Sequence, residues 1–205
     1  MTCVVKIGGS LARDPRLAQW LALLAEAGAG QVVIVPGGGP FADQARLAHA
    51  RWALDAIVAH NMAVLGMVQY AMQMHGICAA LAPSTTIAAI DDALRLGRTV
   101  IWLPYELVRA RADALTSFDV TSDSLAAWLA DRLGATRLAL VKSCAIPAGC
   151  TMRDHAAAGI VDARFADAVR DADYAVDLIN RDELGRMRAL LAAQPVPGAA
   201  GDDAA

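Results

Sequence analysis

Two apolar runs that each end in consecutive glycines constrain this chain most: CVVKIGGSL at residues 3–11 and VVIVPGGGPF at residues 32–41. β-Branched side chains crowd at χ1 and favour extended backbone, so residues 4–7 and 32–35 read as strands. Neither run alternates apolar with polar residues, as a strand with one wet face does. Continuous apolar strands belong to sheets covered on both faces, which is the habit of parallel sheets. Between the runs, DPRLAQWLALLAEAG reads as a helix. Asp14 stands at its N-cap, Pro15 at its first position and Gly28 at its stop, with Leu17, Trp20, Leu21 and Leu24 on one face.

The alternation continues along the chain. Residues 40–52 predict a helix that begins directly after the second glycine turn, and 55–81 a long apolar helix. Residues 85–90 predict a short strand, 91–96 a short helix and 100–103 a third good strand. In FDVTSDSLAAWLADRLG, Leu125, Trp128, Leu129 and Leu133 recur at helical spacing and Gly134 closes the helix. A strand at 137–141, a polar loop at 143–158, a short helix at 164–170, a strand at 174–179 and a helix at 182–193 complete the order. Strands that alternate with helices predict an α/β fold, a three-layer αβα sandwich with a mostly parallel central sheet. The 205 residues suit a single domain over 1–193, with 194–205 a disordered tail.

Composition narrows the function. A net charge of −3 with no basic stripe speaks against nucleic acid as a partner. Cys3, Cys78, Cys144 and Cys150 lack zinc spacing and disulfide framing, so reduced thiols and no metal site are expected. Residues 56–82 are apolar enough to suggest a membrane span, but His60, Asn61, Gln69, Gln73 and His75 interrupt them and basic anchors are missing. The stretch reads as a buried helix at a homo-oligomer interface, in a dimer or larger assembly. Lys6 follows the apolar residues at the N-terminus, the wrong order for a secretory signal, and a soluble cytoplasmic protein is expected.

The glycines point to chemistry. Ligands of parallel sheets bind beyond the carboxyl ends of the strands, where both glycine turns fall. Neither established nucleotide fingerprint is present. The physics those fingerprints use is nevertheless available. Consecutive glycines let backbone N–H groups close on an anion, and Gly37–Gly39 precede a helix whose positive end faces the same way. Gly8 and Gly9 with Ser10 offer a similar turn plus a hydroxyl. Lys6, inside a buried strand, is costly unless it meets negative charge. Tight turns alone would explain either loop singly. Asp119, Thr121, Ser122, Asp123 and Ser124 crowd one helix N-terminus, where one group suffices as a cap. A surplus carboxylate there could hold magnesium or orient a lysine. Lys142 ends a strand and could stabilise a transferring phosphoryl group, or be a solvated surface lysine. His60 could contact an acceptor phosphate, or be a hydrogen-bonded core histidine.

K-x-G-G-S, P-G-G-G-P-F and D-x-T-S-D-S-L-A-A-W-L-A together resemble the amino acid kinase superfamily, over roughly residues 3–180. VPGGGPFAD, AHNMAVLGMVQYA and TSDSLAAWLA…LVKS are most similar to its (aminomethyl)furanylmethyl phosphate kinase branch, which serves methanofuran and methylofuran biosynthesis. The resemblance implies ATP and Mg²⁺, with a phosphorylated small molecule as acceptor. It implies that Lys6, Gly8, Gly9, Ser10 and Ser143 meet the nucleotide and transferring phosphates. Gly37, Gly38, Gly39, His60, Asp119 and Thr121 are implied to hold the acceptor. Asp123 is implied to organise Lys6 and Lys142 without acting as a base. The chain departs from larger members in its short segment after residue 142. Amino-acid (carboxylate), isopentenyl phosphate or uridylate kinases of the same fold remain alternatives, as does a non-catalytic nucleotide- or oxyanion-binding protein.

Overall fold

A computed structural model describes residues 1–108, 113, 115, 116 and 120–193. Six strands form one parallel sheet: β1 (Cys3–Ile7), β2 (Val32–Pro36), β3 (Ala82–Ser84), β4 (Val100–Trp102), β5 (Arg137–Lys142) and β6 (Ala175–Asn180). Their order is β3-β4-β2-β1-β5-β6. The chain therefore runs from β1 through β2 to the edge strand β3, fills the gap with β4, then returns to β1 and adds β5 and β6 on its other side. The switch falls between β1 and β5, where the crossovers diverge and a crevice opens past the strand ends.

Helices α1 (Arg16–Ala27), α2 (Gly39–Trp52), α3 (Ala56–Ile77), α4 (Ile87–Arg95), α5 (Ser122–Arg132), α6 (Met152–Ala157), α7 (Phe165–Ala168) and α8 (Leu184–Ala192) complete the described elements, together with two short 3₁₀ turns. Side chains alternate across a strand, and β1 and β5 divide accordingly. Cys3, Val5 and Ile7 pack with Ala139 and Val141 toward α1 and α8, around Trp20, Leu24 and Met187. Val4 packs with Leu138 and Leu140 on the other face, toward α5 and Phe165. Helix α3 serves both layers, giving Val68 and Met74 to the first core and Val64 and Met67 to the second. None of the described helices is long and apolar enough to cross a membrane.

The expected αβα sandwich is present, with local corrections. Residues 85–90 do not form a strand. The strand comes earlier, at Ala82–Ser84, and Thr86 caps α4 by accepting from Ala89 N–H at 3.1 Å. A run of β-branched residues fits either state. Here Ile87, Ile90 and Leu94 meet the core at helical spacing, which decides for helix. The loop expected at 143–158 contains α6, opened by a reciprocal capping box between Thr151 and Asp154. Asp14 acts one residue before the Pro15 N-cap of α1, accepting from Arg16 N–H at 2.9 Å. It also pairs with Arg181 at 2.8 Å, tying the start of α1 to the end of β6. The long helix ends at Ile77, and Asp55 caps it through Ile57 N–H at 2.8 Å. The tail 194–205 lies outside the described residues.

Candidate functional site

Lys6 continues the Val4 row of β1, and Lys142 continues the Leu138 and Leu140 row of β5. Strand alternation thus aims both lysines at the face covered by α5. Both are buried, as is Asp123 in the first turn of α5. Asp123 Oδ1 lies 2.7 Å from Lys6 Nζ, and Asp123 Oδ2 accepts from Lys142 Nζ at 2.6 Å. One carboxylate therefore bridges two ammonium groups from adjacent strands, at the topological switch point. Burial pushes the Asp123 carboxyl up, but the Lys6 and Lys142 charges outweigh it and hold the group below the usual carboxylate range. Burial, then the Lys6 charge, brings Lys142 down to about 8, with Asp123 opposing.

The two glycine turns meet above this triad. Gly37 N–H donates to Ile7 O at 2.8 Å. A Cβ on Gly9 would lie 2.4 Å from Gly39 N, and one on Gly37 would lie 2.4 Å from Gly9 N. Only residues without Cβ allow the two backbones this approach. A cleft of about 460 Å³ opens between the loops, lined by Lys6, Gly9, Ser10, Arg13, Gly38 and Arg46 among others. Beside Ser10, the Ser143 hydroxyl donates to the Ser10 hydroxyl at 2.7 Å, joining the ends of β1 and β5. Gly8 donates to Val141 O at 3.2 Å.

A second, apolar pocket of about 50 Å³ continues from the cleft past Gly38 and Arg46. His60, buried on α3, lines it with Ala42, Val64, Met67 and Leu125. Thr121 lines both spaces. Its N–H and hydroxyl both donate to Asp162 Oδ2 at 2.9 Å. Asp119 lies outside the described residues. The fold thus gathers Lys6, Asp123, Lys142, both glycine loops, Ser10, Ser143, His60 and Thr121 at one end of the sheet.

Sequence reasoning missed three residues. Arg13 ends the 3₁₀ turn that follows the first glycine loop and reaches the cleft. Asp43 lines the cleft as well, paired to Arg46 at 2.7 Å. Asp162 grips the first turn of α5 from a loop about forty positions downstream. A carboxylate two residues before the N-cap of a short helix signals a local cap, and nothing in the sequence distinguishes that from a long-range one.

A family model for the amino acid kinase family matches residues 1–145, well over half of the chain. The chain belongs to the amino acid kinase family. As a member of that family it is a kinase, and its fold agrees. Uridylate kinase from Archaeoglobus fulgidus superposes with a TM-score of 0.70 at 15% identity, covering 96% of this chain and 98% of that one. UMP kinase from Ureaplasma parvum gives 0.69 at 14%, covering 95% and 96%. An isopentenyl phosphate kinase gives 0.63 at 14%, covering 96% and 98%. No curated protein matches the sequence. At these identities the structural likeness establishes the fold of this amino acid kinase and leaves its acceptor open.

Proposed function

We propose that this kinase transfers the γ-phosphoryl group of ATP to a phosphate monoester, forming a diphosphate. The acceptor is (aminomethyl)furanylmethyl phosphate, in methanofuran- or methylofuran-type cofactor biosynthesis. One observation carries the acceptor class: both oxygens of Asp123 are held by lysines, at 2.7 and 2.6 Å. An alcohol acceptor must give its proton to a base. Asp123 is ionised but committed, and Asp43, the carboxylate among the described residues lining the cleft, is paired to Arg46. An acceptor that is already an anion needs no base.

Carboxylates and phosphates both meet that condition. Arg13 and Arg46 join Lys6 around the cleft, and three cations suit a dianionic acceptor that must approach a polyphosphate. The adjoining apolar pocket, lined by Ala42, Val64, Met67 and Leu125, suits an apolar ring on the acceptor. The furan itself is supported by the VPGGGPFAD, AHNMAVLGMVQYA and TSDSLAAWLA stretches.

In the transfer, an acceptor phosphate oxygen bonds to the γ-phosphorus as the bond to the ADP oxygen breaks. Lys6 and Lys142, pre-set by Asp123, meet the charge that gathers there, while the glycine-loop N–H groups orient the two phosphates. Ser10 and Ser143 offer hydroxyls on the nucleotide side. Magnesium neutralises β- and γ-phosphate oxygens in such reactions. It would reach the site on the nucleotide, because Asp123 is spent on lysines and the described residues include no cluster of three metal-ligating side chains. The protein is further proposed to work in the cytoplasm as a homo-oligomer, since Val58, Leu65 and Met72 expose an apolar stripe at seven-residue spacing along α3.

The test is product detection by mass spectrometry, offering the furan phosphate, isopentenyl phosphate, uridylate and acetylglutamate side by side with ATP and magnesium. Diphosphate formed from the furan phosphate is expected. Reaction with acetylglutamate alone would replace the phosphate acceptor by a carboxylate, and nucleotide binding without any transfer would favour a binding protein.

A further inference from the structure

The first turn of an α-helix leaves N–H groups without intrahelical partners, and one side chain at the N-cap usually serves them. In α5 that local cap is weak, with Thr121 Oγ1 lying 3.4 Å from Asp123 N. The stronger partner is remote. Asp162 Oδ2 accepts from Thr121 N–H at 2.9 Å, Thr121 hydroxyl at 2.9 Å and Ser124 N–H at 3.0 Å. Asp162 Oδ1 accepts from the Ser124 hydroxyl and from Arg164 N–H at 3.1 Å. The Asp162 N–H in turn donates to Asp123 Oδ2 at 3.2 Å.

Five donors on one carboxylate exceed what capping requires, since one side-chain acceptor bonded to a single first-turn N–H usually suffices. Their placement has a consequence. Thr121 and Ser124 lie on either side of Asp123 in the chain, so the backbone that carries Asp123 is pinned from both directions. The turn cannot roll about the helix axis without breaking these charge-assisted bonds, which are stronger than bonds between neutral groups. Asp162 is itself anchored, because Val161 before it and Phe165 after it are buried in the core beside α5. The same residue reaches Asp123 directly through its own N–H.

We propose that Asp162 is a positioning residue for phosphoryl transfer, which grips Thr121 and Ser124 and donates its N–H to Asp123 so that the Asp123 carboxylate stays between Lys6 and Lys142. The catalytic part of this role rests on the kinase reading above, and the positional part does not. A group misplaced by about 1 Å loses about a hundredfold in rate, so a loosened Asp123 should act on turnover.

Asp162→Asn keeps the size of the side chain and one acceptor oxygen while removing the charge. It is expected to lower kcat at least tenfold with the KM for ATP changed less than about threefold. In an Asp123→Asn background the same substitution should cost little, because the group it positions is gone. An equal loss in both backgrounds, or a change confined to KM, overturns the proposal. A readout independent of turnover is the side-chain ammonium signals of Lys6 and Lys142 by ¹⁵N NMR. They should move in Asp162→Asn toward their positions in Asp123→Asn, and unchanged signals overturn the proposal whether or not any acceptor reacts. If Asp162→Asn fails to fold, Ser124→Ala, which removes only one donor, should shift the same signals in the same direction by a smaller amount. A folded Ser124→Ala protein with unshifted signals also overturns it.

Discussion

Replacing Asp123 by Asn tests the electrostatics of the site at its centre. Asn is nearly isosteric and keeps one acceptor oxygen, so packing is preserved while the negative charge is lost. Asp123 is 3% exposed, and the ammonium groups 2.7 and 2.6 Å away are buried with it. Removing one partner from a buried ion pair typically costs about 3–5 kcal/mol. At about 2–4 °C per kcal/mol for a chain of this size, the melting midpoint should fall by about 6–20 °C at pH 7. The loss should depend on pH. Lys142 already titrates at about 8 in the folded protein against 10.5 ordinarily, because of burial and the Lys6 charge. Keeping it charged therefore costs about 3 kcal/mol at neutral pH. Between its folded value and 10.5 the unfolded chain binds more protons, so stability from this group rises with pH across that window. Without Asp123 to oppose it, the folded value drops further and the rise begins at lower pH. The gap between variant and wild type should therefore narrow from pH 7 to pH 9. At the acid end, wild type should lose the stability supplied by ionised Asp123 as pH falls from the ordinary carboxylate value through its depressed folded value, and the variant should lack that component. Thermal melts followed by circular dichroism at pH 3, 7 and 9 measure this. A midpoint within 2 °C of wild type at pH 7, or a gap that is flat from pH 7 to 9, would refute the bridge as the element holding the lysines.

Three further outcomes are expected. Lys6→Ala should fold, by circular dichroism, and lose at least about a hundredfold in turnover, the scale of one preorganised donor at about 2.7–4 kcal/mol; near-normal turnover would remove Lys6 from the transfer step. At Gly38 an added Cβ would lie 2.3 Å from Ala42 Cβ, so Gly38→Val should lower both the melting midpoint and acceptor affinity; calorimetry that finds acceptor affinity unchanged would argue against this loop as the acceptor side. Leu65→Asp, in the exposed stripe of α3, should shift light-scattering mass toward the monomer, whereas a monomeric wild type would dismiss the stripe as an interface.

Much of the candidate site could be read along the chain because it follows from short-range rules. Period-two alternation alone puts Lys6 in the row of Val4, and Lys142 in the row of Leu138 and Leu140. Parallel strands then bring both rows to the same side of the sheet. Glycine turns at two strand ends likewise need no tertiary information to suggest a ligand. Errors fell where local signals are degenerate. Residues 85–90 carry β-branched side chains that suit strand or helix, and the pairing of Ala82 with Val100 and Ser84 with Trp102 used the preceding segment instead. The T-x-x-D pattern of α6 was present but sat in a stretch without apolar periodicity.

What only tertiary structure decided is the bonding at the N-terminus of α5. The sequence there offered five polar side chains for one cap, with no means of ranking them. Packing of α5 against β1 turned Asp123 inward between the lysines, and burial made the missing charge balance expensive enough to fix it there. Thr121 spends its hydroxyl and N–H on Asp162, and Ser124 does the same, because the Val161 and Phe165 contacts bring that loop to them. The mutual contact of the two glycine loops is of the same kind. Each loop is a turn by its own composition, but the need for no side chain at Gly9 and Gly37 arises because adjacent pairing of β1 and β2 presses their ends together. Local backbone preference acts over a few residues and is written in composition, whereas the cost of a buried charge or a steric clash exists only once distant segments share the same space.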